Sequence, residues 1–123
     1  MNRLFIPLLI ALFLLIRCEL ILEDDISGGQ LTVLAPNDQD TLNAGAIVFW
    51  WEELNGASNY EFQLVDPSFE EIEAVLVDTL LVKNRIVFEL DSGSYQWRLR
   101  ALNGSYKTSF EMRSLYILPK NTN

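Results

Sequence analysis

The chain has 123 residues, with 9 Lys and Arg against 17 Asp and Glu, a formal charge of -8, no histidine and one cysteine. A single domain's worth of chain without histidine or a second thiol excludes Ser-His-Asp and Cys-His nucleophile pairs, His-ligated zinc, thiolate clusters and an intramolecular disulfide. The acidic balance opposes phosphate backbones, so no nucleic acid is expected as a partner.

The chain opens on Asn2-Arg3 and the apolar run Leu4 to Ile16. This pattern predicts a helical signal segment over residues 1–17, because a spanning helix needs about 20 apolar residues and Arg17 and Glu19 interrupt the run. A single-pass anchor continuing through Leu20 to Leu22 is the alternative. Directly after the run stands Cys18, the only cysteine. Leu15-Ile16-Arg17-Cys18 resembles the lipobox of bacterial lipoproteins, with Arg17 where that pattern has a small residue. The resemblance implies a covalent lipid on Cys18, a membrane partner through this anchor and no other cofactor. Glu23-Asp24-Asp25 and Ser27-Gly28-Gly29 read as an acidic flexible tether, so residues 18–30 form the lipidated cysteine and its linker. The acidic cluster also resembles the export signal of Bacteroidetes lipoproteins. That implies an outer-membrane, cell-surface location, with a periplasm-facing one as the alternative.

From Gln30 onward, short runs rich in Val, Ile, Phe, Tyr and Trp alternate with turn-forming clusters. The expected strands are Leu31 to Leu34, Ala46 to Glu52, Tyr60 to Val65, Val75 to Val82, Arg85 to Leu90, Tyr95 to Ala101 and a last one around Phe110 to Leu118. Period-two alternation turns Tyr60, Phe62 and Leu64 inward, and likewise Ile86, Phe88 and Leu90. The last strand is expected to bury Phe110, Met112, Tyr116 and Leu118, with a register break near Ser114. Phe69 to Glu73 reads as a brief helical turn, and Asn103-Gly104-Ser105 as a hairpin turn in preference to a glycosylation site. About seven strands without long helical periodicity define an all-β sandwich or small barrel over residues 31–118, followed by a tail at 119–123.

Two segments carry a family resemblance. Trp51-Glu52-Glu53-Leu54-Asn55-Gly56-Ala57-Ser58-Asn59-Tyr60 and Leu90-Asp91-Ser92-Gly93-Ser94-Tyr95-Gln96-Trp97-Arg98-Leu99-Arg100-Ala101 resemble a fibronectin type III domain. The resemblance implies an immunoglobulin-like antiparallel sandwich in which Trp51, Tyr60, Tyr95 and Trp97 are structural core. Tyr95 is then the tyrosine corner, with its hydroxyl on backbone near Leu90 and Gly93 giving it room.

No candidate catalytic residue emerges. Glu52 and Glu53 are adjacent and point to opposite faces, and Glu70, Glu71 and Glu73 lack the spaced ligands of a calcium loop, so no metal is expected. Phosphate loops and nucleophile elbows are also missing. Arg98 and Arg100 are expected to project from one face beside the outward Glu61, Gln63, Glu111 and Arg113 of neighbouring strands, where cross-strand ion pairs account for them. Asp40-Thr41-Leu42 and Asp78-Thr79-Leu80 resemble a short O-glycosylation acceptor pattern of Bacteroidetes. With Trp51 inward, alternation places Trp50 and Val48 on the outer face, which Val87 and Leu34 share if the strands pair as in fibronectin type III domains. Trp50, Val48 and Val87 are the partner-binding candidates; the alternative is that the tether or a Thr41 to Ala46 loop shields Trp50. The expected function is a non-catalytic binding or scaffolding lipoprotein, an accessory subunit of an envelope assembly; the alternative is a carbohydrate-binding module using Trp50.

Overall fold

The computed structural model describes residues 22–121. The expected signal segment and Cys18 lie outside these residues. Eight strands follow one another: β1 (Val33–Ala35), β2 (Asp40–Asn43), β3 (Gly45–Trp51), β4 (Asn59–Pro67), β5 (Ile72–Leu81), β6 (Arg85–Leu90), β7 (Gly93–Leu102) and β8 (Glu111–Leu118). They form a three-stranded sheet, β1-β3-β6, and a five-stranded sheet, β2-β8-β7-β4-β5. Neighbouring strands are antiparallel except β2, which runs parallel to β8.

The period-two residues of the central strands meet between the sheets. Ile47, Phe49 and Trp51 of β3 face Tyr60, Phe62 and Leu64 of β4 and Tyr95, Trp97 and Leu99 of β7, all of them buried. Phe49 stands edge-on to Phe62 and to Trp97, with ring centroids 5.1 Å away in both cases. Trp51 stacks on Phe62 at 6.2 Å and meets Tyr60 edge-on at 5.5 Å. Beyond their buried area, such pairs each contribute about 0.5–1.5 kcal/mol. The aromatic rings therefore hold the two sheets in one fixed relation.

Tyrosine hydroxyls tie the rims. The Tyr95 hydroxyl donates to the Asp91 carbonyl oxygen at 2.8 Å, and the Tyr60 hydroxyl accepts the Leu54 N–H at 3.0 Å. Gly93 is not needed to clear the Tyr95 ring, since a Cβ there would meet the hydroxyl at an ordinary 3.5 Å.

Several expectations are corrected. The additional strand is β2, in a stretch where no strand is expected. Asp40 and Asn43 are poor strand formers, and the strand is ordered by running alongside β8, with Asp40 to Asn43 opposite Leu115 to Leu118. The first strand starts at Val33 rather than Leu31. Phe69 to Glu71 form bends rather than a helical turn, and β5 begins at Ile72. On β8, Leu115 and Ile117 are buried, whereas Met112, Tyr116 and Leu118 are exposed. Pairing decides this: Leu115 lies opposite the inward Tyr95, and opposed residues share a face.

The described part of the expected tether is docked rather than free. Ile26 and Leu31 are both buried and belong to the core cluster. A turn between Ile26 and Gly29 closes on a 2.8 Å backbone hydrogen bond, and Asn103 Nδ2 donates to the carbonyl oxygens of Asp24 and Gly56 at 2.8 and 3.0 Å. The segment thus closes one pole of the sandwich, beside the β3–β4 and β7–β8 connections.

Candidate functional site

Strand β3 has two faces, and its inner one is fully committed to the core. Alternation then leaves Ala46, Val48 and Trp50 outside, where β6 supplies the facing residues. In register, Ala46 lies opposite Glu89, Val48 opposite Val87 and Trp50 opposite Arg85. Trp50 is 46% exposed, Val87 49% and Leu34 37%, while Val48 is half-buried beneath them. The three candidate residues share one open apolar face of the small sheet with Leu34. Leu34 reaches it through a bulge in β1, between Val33 opposite Trp51 and Ala35 opposite Trp50. Charged Arg85 and Glu89 bound the apolar centre on β6. An aromatic anchor within an apolar patch and a charged rim has the chemical make-up of a contact surface.

The outer face of the five-stranded sheet is built differently. Arg98 and Arg100 project from β7, flanked by Glu61 and Gln63 of β4. Arg100 Nε pairs with Glu61 Oε2 at 2.5 Å, and Arg98 Nε donates to Gln63 Oε1 at 2.6 Å. Phe110, expected inward, instead lies beneath both guanidinium groups, 4.4 Å from that of Arg98 and 4.3 Å from that of Arg100. Phe69 covers Arg98 at 4.2 Å. Glu111 and Arg113, expected beside these arginines, lie on the opposite face, paired with each other and in register with Leu99 and Trp97. Sequence reasoning missed the role of the two phenylalanines because Phe69 sits in a bend with no periodicity, while Phe110 alternates with Met112 and so read as part of the buried face of the last strand. The available signal was a pair of arginines outward on a central strand, which need acid or ring partners to lie flat there.

Beside this face, an open depression of about 720 Å³ is lined by Glu61, Asp78, Thr79, Leu80, Arg100 and Lys107, among others. Arg100 is occupied by Glu61, and Asp78 accepts the Gln63 amide at 3.2 Å. The depression holds no nucleophile–base pair. Among the described residues, no group of three or more His, Cys, Asp or Glu could hold a metal ion. Glu52, Glu53, Glu70, Glu71 and Glu73 are exposed and lie apart from it. Thr41 is exposed on β2, while Thr79 is half-buried on β5. Asn103 is the first residue of a tight turn, its Oδ1 accepting the N–H groups of Ser105 and Tyr106, so its side chain is fully engaged. No described helix is long and apolar enough to cross a membrane.

Similarity to solved structures fits this architecture. The chain matches the fibronectin(III)-like modules of Clostridium thermocellum CbhA with a TM-score of 0.55 at 7% identity, over 75% of this chain and 100% of that one. It has the fibronectin type III fold. The human collagen alpha-1(XX) fn3 domain matches with a TM-score of 0.55 at 14% identity, over 76% of this chain and 84% of that one. The FN3tt crystal structure gives 0.50 at 22% identity, over 72% and 89%. No family model matches the chain, and neither does any curated protein. The fibronectin type III fold sets which residues are buried and leaves function to the faces.

Proposed function

We propose that this chain is a non-catalytic protein-contact module, held at the outer membrane by a lipid on Cys18 and working as an accessory subunit of an envelope assembly. The observation that carries the contact role is the open apolar face of Trp50, Val48, Val87 and Leu34 on a sandwich whose core is otherwise closed. Exposed apolar groups gathered on one sheet face, with a large aromatic among them, favour a protein partner. The anchor rests on the position of Cys18 after the apolar run and on the acidic residues that follow it. Two or more acyl chains, at about 0.8 kcal/mol per buried methylene, would hold a domain of this size on a bilayer essentially permanently.

Two measurements test the two halves of this reading. Wild-type protein is expected to take up labelled fatty acid and fractionate with membranes, and Cys18→Ser to do neither. Membrane retention of Cys18→Ser without label in the wild type ends the lipoprotein reading. A photo-crosslinking residue at position 50 is expected to capture protein in intact cells, and one at Thr41 to capture much less. Carbohydrate capture by Trp50 is the second reading. It has the ring, but the patch beside it offers Val48 and Val87 where a sugar needs hydrogen-bonding groups. Glycan-array binding lost in Trp50→Ala would replace the protein-contact reading.

A further inference from the structure

The outer face of β3 and β6 is a grid of three cross-strand pairs: Trp50 with Arg85, Val48 with Val87, and Ala46 with Glu89. Its end rows are complementary to each other. A half-turn about an axis parallel to the sheet, above its outer face and crossing over the strands at the Val48–Val87 row, brings the Trp50–Arg85 row over the Ala46–Glu89 row of a second copy. The largest side chain then meets the smallest, each guanidinium meets a carboxylate, and valines meet valines at the axis. The Trp50–Ala46 and Arg85–Glu89 contacts each occur twice, and each valine on the axis meets its own copy, as an isologous interface requires. A half-turn about the strand direction instead sets Glu89 over Ala46 and leaves it without an opposite charge. We propose that the partner this face is built for is a second copy of this chain, docked sheet to sheet with strands antiparallel across a two-fold at Val87. The assignment rests on the reading of this face as a protein-contact surface and names its occupant.

Size and charge set the character of the contact. Trp50, Val87, Ala46, Arg85 and Glu89 are all exposed, so nothing has to move before the faces meet. Sheets pack about 10 Å apart, close enough for three rows of side chains to interdigitate. A stable interface covers about 800 Å² per partner, more than this grid offers, so the pair is weak in dilute solution and strengthened wherever copies are confined to one surface. Charge pairing fixes its register, and that makes it testable.

The experiment uses the full chain in the membranes of the cells that make it, with a short bismaleimide and Val87→Cys. Wild-type protein, carrying Cys18 alone, sets the baseline, and Thr41→Cys on the far edge strand is the position control. Val87→Cys is expected to give a copy-to-copy product several-fold above both. Adding Arg85→Glu or Glu89→Arg is expected to lower it about tenfold, because like charges then face each other. Arg85→Glu with Glu89→Arg in one chain restores it, as does co-expression of the two single variants, which also shows that each remains folded. A yield no higher than the controls, one indifferent to either single change, or one the paired change fails to restore overturns the proposal. Cross-linking of Val87→Cys to a different protein, without a copy-to-copy product, overturns it while leaving the protein-contact reading in place. No Val87→Cys copy-to-copy product together with no protein captured by the photo-crosslinking residue at position 50 overturns both.

Discussion

Asn103 holds Asp24 in place, its amide nitrogen 2.8 Å from the Asp24 carbonyl oxygen, and the same nitrogen holds Gly56 at 3.0 Å. One side chain thereby joins the N-terminal segment to two connections at the same pole. Asn103→Asp keeps the acceptor used by Ser105 and Tyr106, but it removes both donations and sets a carboxylate against two carbonyl oxygens. The expected loss is about 1–3 kcal/mol in denaturant unfolding. Faster hydrogen exchange should be confined to residues 24–30 and the neighbouring turns.

Ile26 and Gly56 share one volume. Gly56 has φ 87°, and a Cβ on it would stand 2.9 Å from Ile26 Cγ2. Gly56→Ala is therefore expected to cost about 1–3 kcal/mol, from a conformation that disfavours a side chain and from overpacking. Ile26→Ala costs about 2–4 kcal/mol by leaving a cavity in the core. Together they are predicted to cost less than the sum, because the new methyl enters space that the isoleucine vacates. A double-mutant cycle by chemical denaturation checks the sign of the coupling.

The same pole shows what the residues disclosed on their own. Strands β3, β4, β6 and β7 were legible because Phe49 and Trp51, Tyr60 and Phe62, Phe88 and Leu90, and Tyr95 and Trp97 repeat at period two with polar or small residues between most of them. That alternation also turned Trp50 outward and Trp51 inward. Strand β2 was not legible, since Asp40-Thr41-Leu42-Asn43 has little strand preference and takes its order from β8. On β8 both parities are apolar, with Leu115 and Ile117 on one face and Met112, Tyr116 and Leu118 on the other, so only pairing with β7 selects between them. Ile26 was hidden for another reason. A lone apolar residue among acids and glycines looks like linker until the groove that receives it is known.

Tyr95 gives the fold an alkaline limit. Burial, followed by the nearby carboxylates of Asp66 and Asp91, raises its phenol above the ordinary value of 10.0. A group whose pKa is higher in the folded state contributes stability below its unfolded pKa and loses it as pH rises through the folded value. Stability should therefore fall from about pH 10 upward as the phenolate forms. Tyr95→Phe is expected to cost about 1 kcal/mol at neutral pH, by leaving the Asp91 carbonyl without its donor, and to flatten the alkaline decline. Unfolding curves at pH 7 and above pH 10 measure both effects.

Phe110 supports two cations at once. Its ring lies 4.4 Å from the Arg98 guanidinium and 4.3 Å from that of Arg100. Each such contact contributes about 0.5–1 kcal/mol at a partly exposed site. Phe110→Leu keeps apolar cover and removes the ring face, so a loss of about 1–2 kcal/mol is expected. Arg98→Ala with Phe110→Leu should lose less than the sum of the two single changes.

Adjacent tryptophans should give opposite results. Trp51 has no exposed surface and touches Tyr60 and Phe62, whereas Trp50 is 46% exposed and lies opposite Arg85. Trp51→Ala opens a cavity between the sheets and is expected to cost about 3–5 kcal/mol, a large share of the stability of a domain this size. Trp50→Ala removes a ring from the solvent side of the same strand and should shift stability by no more than about 0.5 kcal/mol. Fluorescence separates the two residues without unfolding the protein. Trp51→Phe should leave the acrylamide-quenchable, red-shifted emission of Trp50, and Trp50→Phe should remove it. If Trp50→Ala instead destabilises as Trp51→Ala does, the outer face is part of the fold's own support, and its apolar surface needs no partner to explain it.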